Sequence, residues 1–224
     1  MDTVAVFGCG PVGQFAIASA KLQGAGRALA IDSKIDRLSM AQVQGAETIN
    51  FDQEDPVQTI VELTGGIGVD RVIDAVGVDA EHPHSGPGRD KSQEKEFEKE
   101  VEQIAPNARP KGDHWHPGDA PSQALQWGVE ALAKAGTLGI IGVYPPVART
   151  FPIGMAMNKN LTVKMGNCHH RKYVPHLVGL VRSGVIDPVK ILTKVEPVSD
   201  AIAAYEAFDQ RQPGWLKVKL EPAA

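Results

Sequence analysis

Three glycines near the start of the chain have the spacing of a phosphate-binding turn. The stretch "TVAVFGCGPVG" places Gly8, Gly10 and Gly13 in a G-x-G-x-x-G pattern between an apolar run and a segment of helical periodicity. In such a turn the glycines allow a tight bend, a close approach of backbone to a pyrophosphate, and close packing of helix on strand. The N-terminus of the following helix favours the anion. A glycine turn selected only for tight packing would have the same spacing.

An acidic residue further along the chain favours the dinucleotide interpretation. Asp32 ends the second apolar run, "RALAI", and follows Gly13 by 19 residues. A carboxylate at this position accepts hydrogen bonds from the hydroxyls of an adenosine ribose. It also repels a 2′-phosphate, and no arginine directly follows it, so the pattern predicts NAD in preference to NADP.

Short apolar runs alternate with helix-period segments, which is typical of β-α units around a parallel sheet. The predicted strands are "TVAVF", "RALAI", "AETIN", "VDRVIDAVG", "TLGIIGV" and "LTVKM". Helices are predicted between them, including one that begins at Pro11 and one over "SQALQWGVEALAKAG". The sequence therefore predicts an α/β fold, a Rossmann doubly wound sheet of six parallel strands.

A long polar insertion follows the fourth strand, at about residues 78–121. It is rich in charge, Gly, Pro and His, and it predicts one short solvated helix in "SQEKEFEKEVEQI". Because it leaves the sheet at the edge where doubly wound folds bind ligands, it is interpreted either as a cover over the adenosine half of the cofactor or as a disordered surface loop.

The last part of the chain predicts two helices and a strand. The helices lie in "KYVPHLVGLVRSG" and in "SDAIAAYEAFDQ", the second with Ser199 as its N-cap. In "WLKVKLE", the apolar residues Leu216, Val218 and Leu220 alternate with lysines, as in a half-buried strand. We predict an NAD-binding domain at residues 1–168 and a C-terminal segment at residues 169–224.

Composition excludes several classes of protein. A net charge of −4 gives no electrostatic reason to expect nucleic acid or an anionic membrane as partner. No apolar run approaches the roughly 20 residues of a membrane-spanning helix. The two cysteines, Cys9 and Cys168, form no C-x-x-C pair, which favours a cytoplasmic location.

These motifs together resemble the medium-chain zinc-dependent alcohol dehydrogenase family. The resemblance rests on "GCGPVG", "AIDSKIDRL" with "GAETINF", "DRVIDAVG", "GTLGIIGVYP" and "LVRSGVIDPVKILTKVEPVSDAIAAYEAF", and it covers nearly all of the chain outside the insertion. Within the family, the insertion is most similar to that of the glutathione-independent formaldehyde dehydrogenase branch.

The resemblance implies a set of cofactor contacts that follows the dinucleotide from one end to the other. At the pyrophosphate it implies the turn Gly8, Gly10, Pro11, Val12 and Gly13, with Lys217 as a basic residue that reaches it. At the adenosine it implies Asp32 as the ribose acid and Arg37 as the basic residue beside it, with Ala75, Val76 and Gly77 as the loop under the ribose. At the nicotinamide it implies the backbone of Ile141, Gly142 and Val143 at the amide, and Met165 and Asn167 in the segment over the ring. Core packing is the alternative for the apolar side chains Val12, Val76, Ile141 and Met165. Solvated surface charge is the alternative for Arg37 and Lys217.

The activity that the resemblance implies is hydride transfer between NAD and an alcohol or an aldehyde adduct, with a zinc ion polarising the substrate oxygen. The family's zinc ligands and proton relay precede the glycine turn, where this sequence has only Met1, Asp2 and one strand. We therefore expect the cofactor-binding domain and C-terminal segment without the catalytic zinc domain, and so no catalytic residue and no metal ligand in this chain. The C-terminal segment would then expose an apolar patch.

Two other functions are considered. The first is a non-catalytic NAD-binding module that dimerises through "LTVKM" and its neighbour "FPIG"; in either reading we expect a homodimer or homotetramer. The second is a histidine-rich metal-binding protein, since zinc donors are present in "HPH" (His82, His84), "HWH" (His114, His116) and "CHH" (Cys168, His169, His170). Because the first two clusters lie in the polar insertion and the third in the cofactor-facing segment, we expect solvated histidines.

Overall fold

The structure is a computed structural model that describes residues 1–106 and 117–222 of the chain. Six parallel strands form the main sheet in the order β3-β2-β1-β4-β5-β6. Its strands are β1 (Thr3–Phe7), β2 (Arg27–Asp32), β3 (Glu47–Asn50), β4 (Val69–Asp74), β5 (Leu132–Ile140) and β6 (Thr162–Met165). Strand order reverses between β1 and β4, so the predicted doubly wound sheet of six parallel strands is confirmed.

Helices cover the sheet and continue into the C-terminal segment. They are α1 (Pro11–Leu22), α2 (Ile35–Val43), α3 (Pro56–Leu63), α4 (Glu94–Ile104), α5 (Gln123–Ala131), α6 (Ile153–Asn158), α7 (His170–Arg182) and α8 (Ala201–Asp209). A second, two-stranded parallel sheet pairs β7 (Lys194–Pro197) with β8 (Val218–Glu221). None of the helices within the described residues has the length and apolar character needed to cross a membrane.

The core has one apolar cluster on each face of the main sheet. In β1, Val4 and Val6 belong to one cluster, while Ala5 and Phe7 belong to the other. Alternate residues of a strand point to opposite faces, so a strand covered by helices on both sides needs apolar residues at every position. This requirement explains why the central strands β1 and β2 appear in the sequence as nearly continuous apolar runs.

Helix α5 is shorter than predicted. It ends at Ala131, and Leu132–Ile140 form β5, so the predicted helical positions after Ala131 were wrong. The Lys159 ammonium donates to the carbonyls of Val129, Glu130 and Leu132 at 2.7–3.0 Å. A cation on the last carbonyls stabilises the helix end, and Lys159 lies too far along the chain for helical periodicity to reveal this contact.

Two predictions for the later part of the chain were also wrong. Ser199 does not cap α8: its hydroxyl bonds to the side chain of Asp200, which itself takes the N-cap position without a side-chain capping bond. "FPIG" is not a strand, since α6 begins at Ile153. The predicted strand in "WLKVKLE" is present but covers only Val218–Glu221.

The described parts of the insertion are hydrogen-bonded to the domain. Gly118 N donates to Val78 O at 2.9 Å, and Ala120 N donates to Ala80 O at 3.0 Å. The amide of His84 donates to the carboxylate of Asp52, in the turn after β3, at 2.7 Å. The predicted helix is present as α4, whose Phe97 is buried. These contacts connect the described part of the insertion to the loops after β3 and β4.

Candidate functional site

A cleft of about 200 Å³ lies where the carboxyl ends of β1, β2 and β4 meet. Parallel sheets of this order bind ligands at this switch point. Seven of the predicted cofactor residues line it: Gly8, Gly10, Pro11, Asp32, Arg37, Ala75 and Val76. The glycine turn, the acidic residue and the loop after β4 are therefore brought together, although they are separated in sequence.

Gly13 lies behind the turn and allows α1 to approach it. A Cβ atom on Gly13 would lie 1.8 Å from the carbonyl oxygen of Gly8, so only glycine fits. Helix α1 begins at Pro11, and its first backbone bond runs from Gln14 N to Gly10 O at 2.9 Å. The N–H groups of the first helical turn precede that bond, and they are the groups that bind a phosphate at a helix N-terminus.

Asp32 is buried, and its carboxylate is oriented by three backbone amides. Oδ2 accepts from Cys9 N at 2.7 Å, while Oδ1 accepts from Ser33 N at 2.8 Å and from Lys34 N at 2.9 Å. A carboxylate offers about four acceptor positions, so one remains for a hydroxyl that enters the cleft. The three amides thus fix the orientation of the carboxylate for a further hydrogen bond.

Arg37 is paired with this acid. Its Nη1 lies 3.9 Å from Asp32 Oδ2, and its side chain is only 17% exposed. This environment excludes the alternative that Arg37 is a solvated surface charge.

Several further residues line the cleft that the sequence analysis did not single out. Phe51, after β3, and Trp127, on α5, form an aromatic wall with ring centroids 5.6 Å apart. Charged side chains from three separate segments also line the cleft: Lys34, Asp79, Glu81 and Arg211. Their positions follow from packing between segments, so spacing along the chain carries no signal for them.

Asp74, the last residue of β4, connects two predicted site loops through its carboxylate and its main-chain carbonyl. Asp74 is 0% exposed, and its Oδ1 accepts from Val76 N at 2.9 Å and from Gly77 N at 3.0 Å. Its main-chain carbonyl accepts from Ile141 N at 2.9 Å and from Gly142 N at 3.0 Å. The sequence analysis missed Asp74, although a carboxyl at the end of an apolar strand is itself a signal.

The two loops contact each other directly. Gly77 has a φ of +71°, and a Cβ atom there would lie 2.4 Å from Val143 N. Val78 N donates to Val143 O at 3.1 Å, which holds the backbones side by side. The predicted groups at residues 75–77 and 141–143 therefore form one continuous backbone surface.

Tyr144 completes the Asp74 network. Its hydroxyl donates to Asp74 Oδ2 at 2.8 Å. Burial raises the pKa of Tyr144 far above its ordinary value, and the negative charge and hydrogen bond of Asp74 raise that pKa further. Tyr144 therefore remains a protonated donor to the carboxylate.

Other predicted contacts lie outside the cleft. Val12, Ile141 and Met165 are 49%, 50% and 72% exposed, which rules out core packing for them. Val76, in contrast, packs against the core and also borders the cleft. Val12 and Ile141 line a second, larger groove of about 1050 Å³.

The last predicted contacts are not brought to the cleft either. Asn167 is exposed beyond the end of β6. Lys217 is exposed beside Tyr205 and Phe208, in a pocket separate from the cleft.

The histidine motifs within the described residues do not converge. His82 Nδ1 lies 2.9 Å from a carboxylate oxygen of Asp119, and the rings of His82 and His84 stack at 5.8 Å. His169 accepts from Lys172 N and caps α7. His114 and His116 lie outside the described residues. Within residues 1–106 and 117–222, no group of three or more His, Cys, Asp or Glu side chains is arranged to hold a metal, so these residues do not fit a zinc site.

The sequence is similar to zinc-type alcohol dehydrogenases. Residues 11–83 match the family model described as zinc-binding dehydrogenase. An uncharacterized zinc-type alcohol dehydrogenase-like protein of Bacillus subtilis is 35% identical over 99% of this chain and 53% of its own length. An alcohol dehydrogenase of Cupriavidus necator is 30% identical over 99% of this chain and 50% of its own length. The chain thus spans about half the length of these curated relatives.

Solved structures share the fold. An alcohol dehydrogenase from Thermus sp. ATN1 superposes with a TM-score of 0.75 at 29% identity, covering 99% of this chain and 52% of that one. A short chain alcohol dehydrogenase from Escherichia coli, solved in complex with NADH, has a TM-score of 0.69 at 20% identity and covers 98% of this chain and 52% of that one. At that identity, the second likeness concerns the fold alone.

Replacing Asp74 tests whether it holds the two loops. In Asp74→Ala the amides of Val76 and Gly77 and the hydroxyl of Tyr144 lose their acceptor, and we expect the free energy of unfolding to fall by about 3 kcal/mol. Asp74→Asn is the matched control, because its amide can still accept from the loop and donate to the Tyr144 oxygen; we expect a loss of about 1 kcal/mol. Urea unfolding measures both, and equal losses would show that hydrogen bonding is not the cause.

The raised pKa of Tyr144 predicts a pH dependence of stability. Above about pH 10, the ordinary tyrosine value, the unfolded chain releases the Tyr144 proton while the folded chain keeps it, so this residue makes stability fall as pH rises. We expect Tyr144→Phe to reduce the slope of unfolding free energy between about pH 10 and pH 11. Tyr173→Phe removes an exposed hydroxyl as the control, and an unchanged slope in Tyr144→Phe would contradict the assignment.

Proposed function

We propose that this chain, which belongs to the zinc-type alcohol dehydrogenase family, binds NAD in the cleft between β1, β2 and β4. The observation that carries the proposal is that Asp32 and the glycine turn line the same cleft, with the carboxylate already oriented by Cys9 N, Ser33 N and Lys34 N. The pyrophosphate would lie on the N-terminus of α1, and the adenosine ribose would donate to the free acceptor position of Asp32.

The nicotinamide end would meet the backbone surface that Asp74 holds together. Main-chain groups for its amide would come from Ile141, Gly142 and Val143. Met165 and Asn167 would lie on the outer side of the nicotinamide. Lys217 would reach the pyrophosphate only after a movement of the C-terminal segment. We assign the NAD-binding domain to residues 1–168 and the C-terminal segment to residues 169–224. The exposure of Val12 and Ile141 supports this position for the nicotinamide, since the bound ring would cover both side chains.

For the whole protein we propose hydride transfer between NAD and an alcohol or an aldehyde adduct. Zinc, when bound by a protein of this family, would polarise the substrate oxygen. The described residues of this chain contribute the cofactor cleft to that reaction. The polar insertion supports a formaldehyde dehydrogenase-like branch as the more specific assignment.

A non-catalytic NAD-binding module is the second candidate. The observation that favours it is that the glycine turn and Asp32 line one cleft, while no set of metal donors is found among the described residues. We further propose a homodimer or homotetramer assembled through β6, which lies at the edge of the main sheet. The unpaired cysteines Cys9 and Cys168 are consistent with a reducing cytoplasm.

Fluorescence titration of the 224-residue chain with NADH tests cofactor binding. Asp32→Asn replaces the carboxylate that would accept from the ribose by a neutral amide, and we expect the Kd for NADH to rise about tenfold. Asp70→Asn is the control: Asp70 accepts from Thr3 N at the amino end of β4, opposite the cleft, so its loss should leave Kd unchanged. Equal affinities of Asp32→Asn and the unaltered chain would contradict the assigned ribose contact.

Turnover by this chain itself would exclude the non-catalytic module. The chain is mixed with NAD, zinc and either formaldehyde or a simple alcohol, and NADH is followed by absorbance. Enzymatic turnover predicts a steady rise in NADH, whereas the binding module predicts saturable NAD binding without it. A chain that bound no NAD would contradict both.

A further inference from the structure

Three cationic side chains surround the ribose side of the cleft. Lys34 and Arg37 lie in the segment that follows β2, and Arg211 lies in the loop after α8. All three line the same cleft as Asp32. Arginine close to this position is the feature that accommodates a 2′-phosphate in enzymes that use NADP. These three cations would favour NADP, whereas Asp32 predicts a preference for NAD, so something else in the cleft must offset their charge.

Glu81 pairs with two of the three cations. Its Oε2 lies 3.3 Å from Lys34 Nζ, and its Oε1 accepts from Arg211 Nη1. The Glu81 side chain is only 24% exposed, so solvent and salt screen these pairs less than they screen a surface bridge. Since Arg37 is paired with Asp32, all three cations face carboxylates.

Both partners in the cluster are held in place by the backbone around them. The segment before Glu81 is fixed by the bond from Ala120 N to Ala80 O at 3.0 Å. On the other side, Gly214 N donates to Asp36 Oδ2 at 2.8 Å and anchors the loop that carries Arg211 on the start of α2. Arg211 Nη2 also donates to the carbonyl of Asp79 at 3.3 Å. The meeting of Glu81 with Arg211 is therefore built by two anchored segments.

We propose that Glu81 is a specificity-determining residue that makes the cleft select NAD over NADP. The inference rests on the proposed binding of NAD in this cleft. Glu81 neutralises Lys34 and Arg211, which would otherwise attract a 2′-phosphate carrying close to two negative charges. Its own charge repels that phosphate as well. Because Glu81 comes from the insertion, the insertion contributes directly to the choice of cofactor.

The decisive variant is Glu81→Gln, which keeps the size of the side chain and removes its charge. NADH and NADPH are titrated separately into the full 224-residue chain, and the ratio of Kd for NADPH to Kd for NADH is compared. We expect this ratio to fall about tenfold, mainly because NADPH binds more tightly. The tighter NADPH binding should also weaken more steeply with added salt. An unchanged ratio would overturn the proposal.

A matched control distinguishes this effect from a general loss of charge. Glu47→Gln breaks the bridge between Glu47 on β3 and Arg27 on β2, outside the cleft, and should leave the ratio as it is in the unaltered chain. The double variant Lys34→Gln/Arg211→Gln keeps Glu81 and removes its partners, so the ratio should rise instead. It provides an independent test if Glu81→Gln does not fold, and a ratio that does not rise would overturn the proposal.

The outcomes separate this inference from the proposed function. Equal weakening of NADH and NADPH by Glu81→Gln would mean that Glu81 only supports the fold, and would overturn its specificity role alone. Tight NADH binding with an unaffected ratio would do the same. If the unaltered chain bound neither dinucleotide, the proposed function itself would fail, together with the inference that rests on it.

Discussion

One buried carboxylate organises the backbone on one side of the cleft. Asp74 accepts hydrogen bonds from the loop that follows β4 through its side chain, and from the loop that follows β5 through its carbonyl. Burial without these partners would cost several kcal/mol, so the amides and the hydroxyl of Tyr144 are what make the charge tolerable there. The carboxylate and the main-chain carbonyl of Asp74 together hold the backbone surface at residues 75–77 and 141–143.

The opposite side of the cleft depends on charge pairing between distant segments. The Asp32 carboxylate is held in orientation by three backbone amides and is paired with Arg37. Glu81 and Arg211 then connect the insertion to the C-terminal segment across the cleft. The cleft is thus a point where the sheet, the insertion and the end of the chain meet, which gives the insertion a place in ligand recognition.

Sequence patterns predicted the main sheet well, most clearly at β1 and β2, which are covered by helices and apolar on both faces. They predicted the start of α1 because Pro11 suits the first helical turn, where no intrahelical N–H is needed. They failed at the end of α5, where Lys159 from a later segment binds the last carbonyls. They failed again at Ser199, whose hydroxyl turns to the neighbouring Asp200 and leaves the helix end uncapped.

The sequence by itself determined the parallel sheet, the glycine turn and the acid at the end of β2, because these depend on periodicity and spacing over a few tens of residues. Only the tertiary structure decided which other groups face the cleft. Glu81 and Arg211 are 130 positions apart, and their contact exists only because two separately anchored loops meet. Asp74 likewise contacts both loops only because β5 lies beside β4 in the sheet. Its carboxylate accepts from the loop after β4 and from Tyr144, and its carbonyl accepts from the loop after β5. Local bonding leaves a pattern in the chain, whereas contacts between distant segments do not.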